Sequence, residues 1–432
     1  MGRFGMLPLF LLASIVVTPA RAVDYEIQRW ELEPGTEIVL VEDHRAPLVQ
    51  VTIEFPVGHW SPWVRDHHAE EAFDIQMHDP DGSLRSRADR LSVDLTVSMG
   101  SHAAVVQVTT LREDVAPALD LVRDVLGNRD FDTAELKRWN KNDRLDWSGS
   151  QAEPWFRLAQ AGARLLYAPD DPRRRPYEKP RPRITDSEQL AAARDVVVRL
   201  PGRVIGFAGD VTRAEAERAA SGLLPPVLDS SPAGLDPVLA PMTPMGELPP
   251  ERVATMPKIQ QTLFAYGRHS LTYDSPQYPA FVVADNVLGG HFFSRMYQAL
   301  RHEGGETYGA GTTGRGGAYR EGYALVTFTR GDNVEATEKK LREVLGTLHE
   351  SGITEDERQA AVGYVLGRRP FSRQAPLQIL DRFLSERRHG LPAGFHDDLT
   401  DRAAALSLAE INAFIDEFYD PRGFAMVKIS PK

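Results

Sequence analysis

The residues best suited to catalysis form a short run of histidine and glutamate that begins at His67 and reads HHAEEA. A helix with the pattern H-x-x-E-H presents two zinc ligands one turn apart, and its glutamate can activate the zinc-bound water. Counted from His68, Glu71 fits the base, but Ala72 stands where the second histidine should be. Counted from His67, Glu70 fits the base, but Glu71 replaces that histidine. We therefore expect a solvated helix face, with a working zinc site as the alternative.

The composition of the chain narrows the chemistry that it can support. The 432 residues include no cysteine, which excludes disulfides, thiolate nucleophiles and cysteine-based metal sites. Any metal site must therefore rely mainly on histidine, aspartate and glutamate. Lys and Arg number 50 against 61 Asp and Glu, a formal net charge of −11. This acidic balance argues against a nucleic-acid-binding protein, which needs a basic surface.

The N-terminus has the features of a secretory signal peptide over residues 1–22. Arg3 precedes the apolar run Met6–Val17, and the sequence ARA that ends at Ala22 suits cleavage there. The run is too short to span a bilayer, and no later stretch approaches 18 apolar residues. We expect a periplasmic or otherwise exported protein that starts at Val23 and has no membrane span after cleavage. A membrane anchor is the alternative.

The same order of elements occurs twice along the chain. A helix that ends with RDVLG at Gly127 has a counterpart that ends with REVLG at Gly346. In each half, two further helix starts with capping-box spacing follow, and then a Pro/Gly turn and an apolar strand. The paired starts are Asp132 with Thr354 and Thr185 with Ser407, at nearly the same offset as the two glycines. Four elements in the same order predict a duplicated domain of about 200 residues.

Strands and helices are mixed within each half. The run Ile38–Val41 is long enough for a buried strand, whereas Leu341–Leu348 has the apolar spacing of a packed helix. Hairpin-like strands come first and long helices later, which predicts an α+β fold of two homologous domains, each a mainly antiparallel sheet covered by helices. Residues 224–250 contain eight prolines and are predicted to be an interdomain linker. The predicted domains are residues 23–223 and 251–432.

Over nearly all of the mature chain, the sequence resembles the pitrilysin/insulinase type of zinc metallopeptidase. This inverzincin family includes the processing peptidases and their non-catalytic subunits. Residues 33–58 are similar to its first strands, and the run at His67 takes the place of its H-x-x-E-H helix. The family's third ligand, normally Glu, follows on a later helix, and at a similar spacing after Glu71 this chain has Asp146. The resemblance implies the two-domain processing-peptidase/LuxS-like metallohydrolase fold, with a degenerate zinc motif in the N-terminal domain.

The second half keeps the pattern of that family better. Residues 287–296 read VLGGHFFSRM and residues 300–308 read LRHEGGETY, similar to the family's second-domain signature. The resemblance implies that Arg301 and Tyr308 contact the bound peptide across the cleft from the zinc. Arg301 can donate several hydrogen bonds to a carbonyl, and Tyr308 can donate one to a developing oxyanion. Without the resemblance, the alternative is an arginine packed beside a glycine-rich turn.

The resemblance favours a non-catalytic subunit of an exported heteromeric zinc metallopeptidase that binds unfolded peptides in a shared cleft. A catalytic partner with an intact motif would supply the zinc, so no cofactor is expected in this chain. The peptide would add as a strand to an exposed sheet edge. One alternative is an active zinc metalloendopeptidase with an atypical site of His67 or His68, Glu71 and Asp146. The other is a peptide-binding scaffold unrelated to proteolysis.

Overall fold

The computed structural model describes residues 25–76, 83–127, 131–178, 180–303, 307 and 309–432. The predicted signal peptide lies outside these residues. The strands of the first half are β1 (Ile27–Glu33), β2 (Thr36–Glu42), β3 (Leu48–Phe55), β4 (Asp94–Met99), β5 (Ala104–Leu111) and β6 (Arg203–Gly209). They form one sheet in the order β1-β2-β6-β3-β5-β4.

Strands of the second half form another sheet. They are β7 (Glu251–Met256), β8 (Gln261–His269), β9 (Ala310–Thr313), β10 (Gly322–Arg330) and β11 (Ala425–Pro431). Their order is β7-β11-β8-β10-β9, which repeats the order β2-β6-β3-β5-β4 of the first sheet. The repeat that is visible in the sequence is therefore a repeat of topology as well.

Helices lie between the strands of both halves. Those of the first half are α1 (Pro62–His67), α2 (Ala69–Gln76), α3 (Ser83–Arg90), α4 (Val115–Gly127), α5 (Thr133–Gln151), α6 (Pro154–Leu166), α7 (Ser187–Val198) and α8 (Arg213–Ala220). Those of the second half are α9 (Tyr278–Leu288), α10 (Arg295–Tyr297), α11 (Val334–Ser351), α12 (Glu355–Arg368), α13 (Pro376–Arg388), α14 (Phe395–Ala405) and α15 (Leu408–Phe418). Within the described ranges, no helix is long and apolar enough to cross a membrane.

Each sheet is mixed, with antiparallel pairing in the majority. Only one described pair in each sheet is parallel, namely β2 with β6 and β7 with β11. The remaining described pairs are antiparallel. The predicted fold class, α+β with two similar sheets covered by helices, is confirmed.

Strand β6 shows why the centre of the first sheet is so apolar. Its residues are buried along their whole length, because helices cover both faces of the sheet. Ile205 and Phe207 join the main core of the first half, whereas Val204 packs with residues of α13 on the opposite face. Gly206 allows a close approach there, since a Cβ at this position would lie 2.9 Å from a methyl group of Leu380.

The two halves exchange a helix. From the first half, α6 packs on β8 and β11 of the second sheet, where Leu158 and Leu165 meet Val427. From the second half, α13 packs on β2 and β6 of the first sheet. Each sheet therefore has an apolar face that is covered by the other half, so the packing crosses the boundaries predicted from the sequence. Those boundaries remain a prediction.

The proline-rich segment 224–250 is fixed to the rest of the protein by hydrogen bonds. The carbonyl of Gly234 accepts hydrogen bonds from the amide of Trp63 at 3.0 Å and from the hydroxyl of Ser61 at 2.8 Å. Further along, the Ala240 amide donates to the Asp171 carboxylate at 3.1 Å. One short turn of 3₁₀ helix, Met245–Glu247, is the regular structure described within the segment. An extended connection is what its proline content favours.

The helix starts read from the sequence are mostly correct. Capping boxes are present at Thr354 with Glu357 and at Ser407 with Glu410. Asp132 is the N-cap of α5, although its side chain makes no capping hydrogen bond. The prediction at Thr185 is wrong by one residue. Asp186 caps α7 instead, because its carboxylate accepts hydrogen bonds from two amides of the first turn.

Candidate functional site

The histidine-bearing segment is broken into two helices at His68. Helix α1 begins after Ser61, whose hydroxyl accepts a hydrogen bond from the amide of Val64, and it ends at His67. His68 has a left-handed backbone conformation with φ at 58°, and α2 begins at the next residue. This conformation costs a residue with a side chain about 1 kcal/mol. The motif therefore does not lie on one continuous helix, and the expected helix face is interrupted.

The two histidines have different environments. His67 is exposed and stacks on the Trp63 ring, with ring centroids 4.6 Å apart and planes inclined by 16°. Its Nδ1 lies 2.8 Å from the carbonyl oxygen of Trp63, so the described contacts of the ring are within α1 and not with His68 or the glutamates. His68 is half-buried, and its Nδ1 lies 3.8 Å from a carboxylate oxygen of Glu71. That carboxylate raises the pKa of His68.

The next residues are buried and not solvated, so the expected solvated face is wrong here. Glu71 is 6% exposed, and Ala72 is fully buried in an apolar cluster with Ile75, Leu136 and Trp139. Counted from His68, Ala72 is the position of the second zinc ligand. A side chain at that position would point into packed hydrocarbon and not toward the carboxylates.

An arginine lies among the carboxylates of α2. Arg181 Nη2 is 3.2 Å from Glu70 Oε1, and Nη1 donates a hydrogen bond to Asp74. Burial alone would lower the pKa of Arg181, but Glu70 and Asp74 raise it well above its usual value. Burial raises the pKa of Glu70, and Arg181 opposes that rise. A fixed guanidinium charge therefore balances these carboxylates.

Helix α5 presents Asp143, and not the predicted Asp146, to this cluster. The Asp143 carboxylate accepts a hydrogen bond from the backbone amide of Arg181, and burial raises its pKa, with a further contribution from Glu71. Asp146 lies almost one turn further along, is exposed, and makes no ion pair or side-chain hydrogen bond within the described residues. The predicted third ligand is thus one helical turn away from the carboxylate that faces the site.

Two members of the cluster, Arg181 and Asp143, were missed by sequence reasoning. Residues 180–183 read PRPR, which indicates an extended basic segment, but no local pattern names its partners. The partner Glu70 lies more than 100 residues earlier in the chain, after β3 and before β4. For Asp143, the sequence spacing of the family's third ligand points to helix α5. It does not tell which of two aspartates one turn apart on that helix faces inward.

These residues do not fit a zinc ion. Across the described part of the chain, no group of three His, Asp or Glu side chains is arranged to hold a metal. Glu71 and His68 are adjacent, but Ala72 has no lone pair and Arg181 can only donate hydrogen bonds. Zinc needs three protein ligands besides the reacting water. In this cluster, the guanidinium of Arg181 holds the carboxylates of Glu70 and Asp74 in place.

The second predicted group lies on a turn of π-helix, Gln298–Glu303. Arg301 is exposed, and its guanidinium lies 5.0 Å above the Tyr297 ring and donates a hydrogen bond to that hydroxyl. Phe292 also meets Tyr297 edge-on, with centroids 5.1 Å apart. Tyr308 lies outside the described residues. Arg301 is therefore available to a ligand and is not packed in the interior, while the role of the pair stays a prediction.

A free sheet edge lies beside the degenerate motif. Strand β4 pairs with β5 on one side and with no other described strand on its second side. Helix α2 packs against β4. Unpaired backbone N–H and C=O groups at such an edge can accept an extended chain. The edge would place that chain next to the carboxylates and Arg181.

A comparison with known protein families gives a match that runs from α7 to α12. Residues 188–363 match the family model that is described as the peptidase M16 inactive domain. This part of the chain is similar to the inactive type of M16 peptidase domain. The predicted resemblance to the pitrilysin/insulinase type is confirmed, and no curated protein sequence matches the chain.

Solved structures support the M16 fold over almost the whole chain. A peptidase M16 inactive domain from Pseudomonas fluorescens matches with a TM-score of 0.78 and 19% identity, covering 94% of this chain and 98% of that one. The periplasmic protease PqqL from Escherichia coli matches with a TM-score of 0.70 and 12% identity, covering 100% of this chain and 49% of that one. A chain of complex III2 from Candida albicans matches with a TM-score of 0.68 and 11% identity, covering 94% and 96%.

The M16 assignment agrees with the geometry of the motif. The matched domain is of the inactive type, and the first half of this chain has Ala72 in an apolar cluster where a ligand would be needed. The prediction that the chain is not active alone is therefore confirmed, since the matched M16 domain is described as inactive.

Proposed function

We propose that this chain is the non-catalytic, substrate-binding subunit of an exported heteromeric M16 zinc peptidase. The observation that carries the proposal is the replacement of a metal site by Ala72 in an apolar cluster and by Arg181 among the carboxylates. A chain that has lost the ligands but retains the two-sheet architecture can still bind what the active relatives bind. Its cleft would be completed by a partner chain with an intact H-x-x-E-H motif.

In this proposal, both halves of the chain contact the peptide. Arg301 would donate charge-assisted hydrogen bonds to a peptide carbonyl, because its guanidinium is exposed. Tyr308 would donate to the oxyanion that develops when the partner's zinc-bound water attacks. The free edge of β4 would hold an unfolded peptide through main-chain hydrogen bonds, which gives loose sequence discrimination.

The partner would supply zinc, the attacking water and the general base, so this chain would need no cofactor of its own. Two relatives of the same fold support these expectations in part. One is a periplasmic protease, which fits export, and one is a chain of complex III2, which fits assembly with other chains. Both have low sequence identity to this chain, so they support the proposal through fold alone.

Reconstitution tests the proposed function directly. The native protein should co-purify with a chain of the same fold that has an intact motif. An unstructured peptide should then be cleaved by the pair and by neither chain alone, and a chelator should stop the cleavage. Chelator-sensitive turnover by the pure chain would favour an atypical active peptidase. Peptide binding with no captured peptidase would favour a scaffold.

Export has a separate test. If residues 1–22 are a signal peptide, N-terminal sequencing of the native protein should begin at Val23. Loss of Arg3 and Arg21 would take the formal charge from −11 to −13. A soluble native form that retains Met1 would contradict export, and would leave the peptide-binding proposal to be judged by reconstitution.

A further inference from the structure

A cavity of about 320 Å³ lies where α6 of the first half crosses the sheet of the second half. Its walls are mainly apolar, with Leu158 and Leu165 on the helix and Ala265, Val326 and Val427 on the strands. At about 30 Å³ per water molecule, its volume equals that of roughly ten waters. Cavities of this size and lining are typical of small-molecule sites.

A glycine in the helix wall leaves this space open. Gly162 lies within α6, where glycine costs about 1 kcal/mol of helix stability relative to alanine. A Cβ built at Gly162 would meet no heavy atom within 4 Å, so packing does not require glycine there. On the opposite wall the situation is reversed, because a Cβ at Gly322 would lie 2.7 Å from a methyl group of Leu166. The cavity beside Gly162 could therefore hold a larger side chain at this position, and glycine leaves it empty.

One carboxylate interrupts the apolar lining. Glu321 is half-buried, and its backbone is fixed by Ser270, whose hydroxyl accepts from the Glu321 amide at 3.0 Å and whose amide donates to the Glu321 carbonyl at 2.8 Å. No hydrogen bond or ion pair to its carboxylate occurs among the described residues. Burial raises the pKa of Glu321, and Arg173 opposes that rise.

The basic side chain that acts on Glu321 is already engaged in another ion pair. Arg173 forms a buried double contact with Asp171, from Nε to Oδ1 at 2.8 Å and from Nη2 to Oδ2 at 2.6 Å. Its guanidinium is therefore neutralised by Asp171 and not by Glu321. The charge on Glu321 is left available to a cation that enters the cavity.

A tyrosine hydroxyl completes the polar end of the cavity. Tyr167 Oη accepts a hydrogen bond from the Gly322 amide at 3.0 Å, so its own proton is left to donate. Burial raises the pKa of Tyr167, and Glu321 adds to the rise. One end of the cavity thus offers a carboxylate and a hydroxyl, and the remainder offers hydrocarbon.

We infer that this cavity binds a primary amine with an apolar body, whose ammonium group pairs with Glu321 while the body fills the space beside Gly162. Both a free amine and a lysine side chain of a peptide have this chemistry. The inference is independent of the proposed peptidase partnership, since both walls of the cavity belong to this chain.

Isothermal titration calorimetry of the whole mature chain with 2-phenylethylamine tests whether the cavity prefers a cationic ligand. The neutral analogue 2-phenylethanol and the anion phenylacetate serve as matched probes. We expect the amine to bind at least about tenfold more tightly than either, because a charge-assisted contact to a partly buried carboxylate favours the cation. Equal binding of amine and alcohol would overturn the inference.

Two substitutions locate the binding. Glu321→Gln should weaken the amine at least about tenfold and leave the alcohol unchanged, whereas Glu113→Gln, the same charge change at an exposed position, should change neither. Gly162→Leu should abolish binding of both by filling the cavity. Gly162→Ala is the milder variant, and its melting temperature should not fall. Amine affinity that survives Glu321→Gln or Gly162→Leu in folded protein would refute the site.

A capped peptide with one lysine, compared with the same peptide carrying norleucine, separates the two sources. Lysine-dependent binding that Glu321→Gln removes would assign the cavity to peptide side chains. Binding of 2-phenylethylamine without the lysine peptide would assign it to free amines. Binding of neither cation would contradict the inference for both sources.

Discussion

The two halves place very different helices at the same point of the fold. In the first half, α2 packs against the edge strand β4 and carries carboxylates. In the second half, α9 packs against the corresponding strand β9, and nearly all of its residues are buried in the core. At this position of the repeated unit, one half carries charged groups and the other carries mainly buried core residues.

Arginine neutralises the acids in both copies. On α9, Asp285 is 2.5 Å from Arg315 Nε and accepts a hydrogen bond from Tyr323 at 2.9 Å. On α2, Glu70 and Asp74 share Arg181. In both halves, therefore, carboxylates at this position of the fold pair with an arginine of the same chain. The following changes test how far that likeness extends.

Restoring the missing ligand should cause the largest effect. Ala72→His places an imidazole in an apolar cluster with no room for it. We expect a loss of about 3 kcal/mol in the free energy of unfolding, from overpacking and a buried polar group. Zinc should not raise the melting temperature. Ala152→His, at an exposed helix end, is the control and should be close to neutral. Zinc stabilisation of Ala72→His would restore the zinc-site alternative.

Removing the Arg181 side chain should have a smaller effect on stability. Arg181→Ala leaves Glu70 and Asp74 without their shared partner. Because the arginine side chain is 37% exposed, we expect a loss of about 1–2 kcal/mol and not the full effect of breaking a buried pair. Denaturant unfolding measures it, with the exposed neighbour Arg183→Ala as the control. An equal, negligible change in both variants would show that the carboxylates need no cation.

The sequence predicts local patterns and not long-range partners. The apolar run in β2 and the apolar stripe in α11 could be predicted directly. A strand buried on both faces is apolar at successive positions, and a helix buried on one face is apolar at every third or fourth position. The packing of α6 and α13 on the sheet of the other half could not be predicted, since an apolar helix face carries no information about which sheet it covers. Arg181 was missed for the same reason, and Asp146 was preferred to Asp143 because the orientation of α5 is set by packing.

Removing Arg301 should affect activity and not stability. In the reconstituted pair, Arg301→Ala should lower peptide cleavage at least about tenfold, equal to about 1.4 kcal/mol, because charge-assisted hydrogen bonds to substrate are lost. Tyr308→Phe should act in the same direction. The melting temperature should hardly change, since Arg301 is exposed.

The chain offers a matched control for Arg301. Arg368 lies above Tyr364 at 5.6 Å, also four residues away, and Nη1 donates to its hydroxyl at 3.4 Å. Arg368→Ala removes the same local contact outside the predicted signature and should leave cleavage unchanged. Equal activity of both variants would remove Arg301 from the mechanism.

The smallest effect concerns the contact between the halves, where the β4–β5 and β9–β10 turns meet. His102 stacks on Tyr319 with centroids 5.2 Å apart, and burial, followed by His389, lowers the pKa of His102 to about 4. The unfolded chain, with a pKa near 6.5, binds the proton more readily. Stability should therefore fall as the pH drops from about 7 to 5, with His102 contributing about 1 kcal/mol after solvent screening.

Two variants of opposite sign test this pH dependence. His102→Phe keeps a ring on Tyr319 and should flatten the loss of unfolding free energy at acid pH. His44 has the opposite shift, because Asp210 and Glu42 raise its pKa, so its contribution is present at low pH and is lost as the pH rises. His44→Gln should therefore steepen the loss at acid pH. Parallel pH profiles for wild type and His102→Phe would show that the contact between the two turns does not sense protonation.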